Sequence, residues 1–123
     1  MPQAWQTLEI TSIQEDRLEA RAIAPAGSAW FEGHFPSQPI LPGIAMIAMA
    51  FDAARQQEAL AGRNIRLKSV TRIRFKKPVL PGEQFKILLT REQRPDDTAY
   101  RFTILVAGEA GCTGILHTEP LAV

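Results

Sequence analysis

A histidine, a proline-stiffened turn and the start of an apolar helix follow one another closely in this chain: Gly33-His34-Phe35-Pro36, then Pro39-Ile40-Leu41-Pro42-Gly43. These are the parts needed to hold a carbonyl and remove a proton beside it. With a reference pKa of about 6.5, an imidazole is largely neutral at pH 7 and can accept a proton. His34 is therefore the candidate base; the alternative is a loop histidine packed beside Phe31 and Phe35. Gly43 falls in the first helical turn, where backbone N–H groups lack intrahelical partners. The helix dipole adds roughly half a positive charge there. Glycine also lets a ligand approach closely, because it has no Cβ. A carbonyl oxygen at that end would gain stabilisation as it took on enolate character. The alternative role of Gly43 is plain turn geometry after Pro42. About one turn into the helix, where an acid would complete the set, stands Ala48. Asp52 lies one further turn on, about 5.4 Å along the axis. It is either a replacement acid or a hydrogen-bonded polar residue.

The elements that must position these groups are punctuated by Pro and Gly. Trp5 to Ile13 and Arg17 to Ala24 read as a strand pair turning at Glu15-Asp16, and Pro25-Ala26-Gly27-Ser28 ends it. Ala29 to Leu41 is a loop whose aromatics Trp30, Phe31 and Phe35 are expected to pin it to the core. Pro42 to Ala61 is helical, with Pro at its start and Gly62 as its stop. Ile44 to Phe51 is apolar on every side, which predicts a helix wrapped by protein. Arg55, Gln56, Gln57 and Glu58 mark its emergence into solvent. Strand candidates follow at Ile65–Val79, Gln84–Gln93, Thr98–Glu109 and Cys112–Thr118, with turns at Pro81-Gly82 and Pro95-Asp96-Asp97. Together these predict an α+β fold, an antiparallel sheet of about six strands wrapped around one long central helix.

Composition excludes several classes. At 123 residues, 46% hydrophobic and 22% charged, the chain reads as a single globular domain, residues 1–123. The net charge of +1 gives no global pull toward nucleic acid or membrane. One cysteine, Cys112, forms no internal disulfide, and His34 and His117 are too far apart for a metal pair. Both Cys112 and His117 are expected to be structural. No cofactor is called for. No signal segment and no span of about 18 apolar residues is seen, so a cytoplasmic location is expected.

Two blocks carry a resemblance. GHFPSQPILPG with its apolar helix, and Ser69 to Glu83 (SVTRIRFKKPVLPGE), resemble the hot-dog-fold 3-hydroxyacyl-carrier-protein dehydratases of the FabA/FabZ type. The resemblance implies a hot-dog fold, elimination of water from a carrier-bound 3-hydroxyacyl thioester, and edge-to-edge pairing of subunits into a homodimer, a higher oligomer or a heterodimer with a paralogue. It places a Glu or Asp five residues after the glycine, where this chain has Ala48. A slow dehydratase, a base-only isomerase or thioesterase, and a non-catalytic acyl binder all stay open. Phe35, Pro42, Ile44, Ile47 and Phe75 are candidates for lining the acyl tunnel, though apolar residues there serve equally as core. The period-two row Arg66, Lys68, Arg72, Arg74 and Lys76 reads as one basic face opposite Leu67, Ile73 and Phe75. Arg72, Arg74, Lys76 and Lys77 are candidates to dock an acidic acyl carrier protein or its phosphopantetheine arm; the bland alternative is a solvated face. Nucleic acid is disfavoured, since the row lacks interleaved exposed aromatics.

Overall fold

The computed structural model describes residues 5–14, 16–31 and 40–121. His34 and Phe35 lie outside these. Strands β1 (Thr7–Gln14) and β2 (Arg17–Ile23) precede a short 3-10 turn at Ala29–Phe31 and helix α1 (Gly43–Leu60). Then come β3 (Ile65–Phe75), β4 (Gln84–Gln93), β5 (Thr98–Val106) and β6 (Glu109–Pro120). All pairings are antiparallel, in the order β1-β2-β4-β5-β6-β3, so the sheet curls around α1 with β1 and β3 at its edges. This is the hot-dog arrangement. No described helix is long and apolar enough to cross a membrane.

Alternation builds the core. On β2, Leu18, Ala20 and Ala22 are buried beneath an exposed Arg17 and Arg21. Phe85, Ile87 and Leu89 of β4 and Tyr100, Phe102, Ile104 and Val106 of β5 join Met49 and the small helix residues Ala45, Ala50, Ala53 and Ala54 in one core. Alanines on the helix let the sheet close in tightly, because large strand side chains then fill the space between. Trp30 and Phe31 pack on the rim of this core, as expected. Trp30 donates through Nε1 to Gln6 Oε1 at 2.6 Å and stands edge-on to Trp5.

Three expectations are corrected. The helix is not enclosed all round: Ile44 is 67% exposed and Ala48 is exposed. Gln57 and Glu58 do not emerge into solvent but are buried, Glu58 at 2% exposure. The third correction concerns the basic row on β3. Register slips between Leu67 and Ser69, and again between Thr71 and Arg74, where Arg72 adopts φ 55°. Each bulge inserts an extra residue and reverses the facing pattern. Val70 thereby joins Leu67 and Ile73 against the core instead of interrupting a basic face. Arg66 pairs with Glu119 across the β3–β6 ladder.

Candidate functional site at the helix start

Pro42 caps α1 with φ −59° and ψ 146°, and its carbonyl accepts the N–H of Ala45 at 3.0 Å. Leu41 N–H donates to Val79 O at 2.8 Å, which ties the approach to the helix to the segment just after β3. Among the described residues nothing pairs with the Gly43 or Ile44 N–H. The helix therefore opens with donors available to an anionic oxygen.

Phe75 closes on this end. A Cβ built on Gly43 would lie 2.5 Å from the tip of the Phe75 ring. The ring is itself 55% exposed. Two residues singled out separately from the sequence are thus brought together. The glycine is required first by the aromatic ring, whatever else approaches it. Replacing Gly43 by Ala should force the ring aside at a cost of about 1–3 kcal/mol, toward the lower end because a half-exposed ring can turn. Phe75→Ala in the same background should recover most of the loss, a coupling readable from urea midpoints in a double-mutant cycle.

Ile44, Ala48 and Asp52 follow at four-residue spacing on one helix face, and Ile44 and Ala48 stay open to solvent. Ile47 is half-buried against the core. Each oxygen of the Asp52 carboxylate has a partner: Oδ1 accepts Arg55 Nη2 at 2.7 Å and Oδ2 accepts Gln56 Nε2 at 3.1 Å. The helix thus carries an exposed methyl at Ala48 and a committed carboxylate one turn later.

At the basic end of β3, Lys76 and Lys77 N–H both donate to Gly111 O, at 2.8 and 3.1 Å. Lys77 Nζ reaches Glu109 at 3.4 Å. Among the described residues no carboxylate pairs with Arg72, Arg74 or Lys76. Cys112 is buried, and burial pushes its thiol up to about 11, which leaves it protonated and inert. No three His, Cys, Asp or Glu side chains gather as a metal site among the described residues.

Sequence reasoning missed a second polar centre. Beside the far end of α1 is a cavity of about 530 Å³ lined in part by Glu58, Arg63, Arg91 and Asn64. It lies some fifteen helical residues from Gly43, roughly 22 Å along the axis. Glu58 Oε1 accepts Arg91 Nε at 2.6 Å and the Tyr100 hydroxyl, and Oε2 accepts Arg63 Nε at 2.5 Å. Burial pushes this carboxyl up, but the hydrogen bonds from Tyr100, Arg63 and Arg91 outweigh it and hold Glu58 below the ordinary carboxylate range. Burial and Glu58 push the Tyr100 phenol strongly upward. No local pattern signals this cluster, since its members come from α1, β4, β5 and the helix exit.

A six-stranded antiparallel sheet rolled on one helix, with an open helix start facing an aromatic, defines a hot-dog protein. Residues 10–114 match the ApeI-like family, described as ApeI dehydratase, and the chain belongs to that family. Two curated relatives are 3-hydroxyacyl-acyl-carrier-protein dehydratases named FabZ. The protein from Histophilus somni (strain 2336) is 38% identical over 111 residues, 84% of this chain and 73% of that one. The protein from Haemophilus influenzae (strain Rd) is 35% identical over 88 residues, 67% of this chain and 60% of that one, so the match spans less than two thirds of that relative. Among solved structures, the dehydratase heterocomplex ApeI:P from Xenorhabdus doucetiae aligns with TM-score 0.72 at 20% identity, covering 89% of this chain and 93% of that one. At that identity the likeness speaks for the fold.

Proposed function

We propose that this chain is the acid-lacking subunit of a paired hot-dog dehydratase acting on carrier-bound 3-hydroxyacyl thioesters. His34 takes the proton from C2. The N–H groups at the Gly43 end stabilise the negative charge that moves onto the thioester oxygen. The departing 3-hydroxyl takes a proton from an acid on a paralogous subunit, because Ala48 has none to give. The observation that carries this reading is Ala48, an exposed methyl at the position the acid would occupy. The open face around Ile44 supports it, as a site completed by a partner would stand open in a single chain. The related fold found in a dehydratase heterocomplex supports it further. Arg72, Arg74, Lys76 and Lys77 are the residues proposed to meet the acidic carrier. A homo-oligomer that relies on Asp52 is the weaker reading, since both oxygens of Asp52 are already held by Arg55 and Gln56.

The test is a mixing experiment. The chain alone, given a 3-hydroxyacyl carrier thioester, should form little enoyl product. Together with a paralogue bearing a carboxylate at the matching helix position, it should turn over, and His34→Ala in this chain should remove part or all of that turnover. Unchanged turnover with the His34 variant would show that this subunit does not supply the base.

A further inference from the structure

Three side chains, from β3, β6 and the segment just before β5, form a relay. Asp97 Oδ2 stands 3.0 Å from His117 Nδ1, and His117 Nε2 stands 2.8 Å from Thr71 Oγ1. An ionised Asp97 can only accept, so it fixes the neutral ring with its proton on Nδ1. Nε2 is then the acceptor and takes the Thr71 hydroxyl proton. The acid and base are largely sheltered, at 14% and 15% side-chain exposure, while Thr71 is exposed. The second Asp97 oxygen is buried, with no partner among the described residues.

The neighbourhood of Thr71 suits a reacting group. The next residue, Arg72, sits at φ 55° in the bulge, in the left-handed region that bulky residues rarely adopt. Beside it is a cavity of about 520 Å³, lined by Arg72, Arg74, Arg101, Thr103 and Thr113 and by Ile115, the register partner of Thr71. None of its described lining residues is acidic. Arg101 is committed to Glu92 at 2.6 Å; Arg72 and Arg74 have no such partner among the described residues. Edge pairing of β3 with another strand would use its backbone in the sheet plane and leave these outward side chains free.

We propose that Thr71, His117 and Asp97 form a second, hydrolytic site for activated acyl esters or thioesters whose leaving portion carries negative charge, held by Arg72 and Arg74. Thr71 Oγ attacks the acyl carbonyl carbon while His117 Nε2 takes its proton. The C–S or C–O bond to the leaving group breaks, and His117 returns the proton to it. Water then attacks the acyl-Thr71 ester with His117 again as base, the bond to Thr71 Oγ breaks, and that oxygen regains its proton as the free acid departs. This site is independent of His34 and Gly43.

The test incubates the full chain with p-nitrophenyl acetate and, separately, with acetyl-CoA, then maps acetylated peptides by mass spectrometry. Acetyl on Thr71 is expected, with Thr71→Ala and His117→Ala slowing nitrophenolate release about 10²-fold or more. Thr71→Ser should retain activity, because serine keeps the hydroxyl. Thr71 is exposed and loses one side-chain bond, so Thr71→Ala should melt close to the parent and carries the test even if His117→Ala unfolds. Arg72→Ala with Arg74→Ala should slow acetyl-CoA hydrolysis more than hydrolysis of the uncharged ester. Wild-type release by Thr71→Ala, or acetyl found on lysines and none on Thr71, would overturn the proposal. Equal loss of both substrates in the arginine pair would overturn the assignment of the anionic leaving group.

Discussion

Glu58→Ala should be among the most destabilising single changes in this protein, at about 3–5 kcal/mol. The physical reason is what it strands. Tyr100 is fully buried and gives its hydroxyl to Glu58, and the Arg91 side chain is only 19% exposed. Removing the carboxylate leaves a buried phenol without an acceptor, beside a sheltered guanidinium that keeps only Gln93 at 3.2 Å and the more distant Asp16 at 3.8 Å. Arg63, at 56% exposure, can turn to water and contributes little to the loss. Against a typical total stability of about 5–15 kcal/mol, the change removes a large fraction. It should lower the melting temperature by roughly 10–20 °C. Replacing Glu58, Arg91 and Tyr100 together by Leu, Met and Phe should cost far less than the single change, because no group is then left unpaired. A triple variant as unstable as the single one would show that the cluster contributes net attraction and not just avoided stranding.

The same cluster sets an acid limit. Glu58 is held below its ordinary value of 4.5 in the folded protein, despite burial, by Tyr100, Arg63 and Arg91. A carboxyl whose folded pKa is depressed contributes its full stabilisation above the unfolded value and loses it as pH falls through the folded one. Urea midpoints should therefore be level from pH 7 to about 5 and decline below about 4.5. Glu58→Gln should start lower and decline less steeply. The difference between the two curves isolates this residue from Glu92, which Arg94 and Arg101 also hold low and which is unchanged in both proteins.

Much of this architecture is written in short-range signals. Gly62 stops the helix with φ 75°, its N–H on Ala59 O and that of Arg63 on Glu58 O. The strand Gln84–Gln93 begins just after the Pro81-Gly82 turn, with Gly82 at φ 76°. What escapes the sequence depends on partners far along the chain. The β5–β6 hairpin turns at Ala107-Gly108 with both residues at positive φ, and an alanine there gives no turn signal. Glu109 accordingly opens β6 and does not end β5. The bulges in β3 reflect its fit to β6, where Gly114 leaves room for Ile73 and Phe102 that a Cβ would take, so period two along β3 alone misassigns the basic row. Glu58 reads as a surface residue because its burial is made by β4 and β5. At the candidate site, the open helix start and Ala48 were legible from Pro42-Gly43 and the helix period. The approach of Phe75 to Gly43 was not, since it depends on how the end of β3 crosses the helix.

Ala48→Glu should raise enoyl formation by this chain alone by about 10²–10⁴-fold, the range typical of an acid–base group. Ala48 is five residues beyond Gly43, about 7.5 Å along the axis. It lies on the exposed face shared with Ile44, so a longer side chain can be added there without displacing core. Asp52 does not pre-empt the effect, because Arg55 and Gln56 hold its oxygens. Asp52→Asn should accordingly leave the activity of the Ala48→Glu protein within a few fold. The gain should depend on His34: an acid that protonates the leaving hydroxyl accelerates elimination only where a base removes the C2 proton in concert, so Ala48→Glu with His34→Ala should fall back to the starting rate. If Ala48→Glu folds normally and gains nothing, the missing carboxylate is not what limits the single chain. The deficit must then lie in how the His34 segment meets the helix start, and a paralogue would have to supply the base as well as the acid.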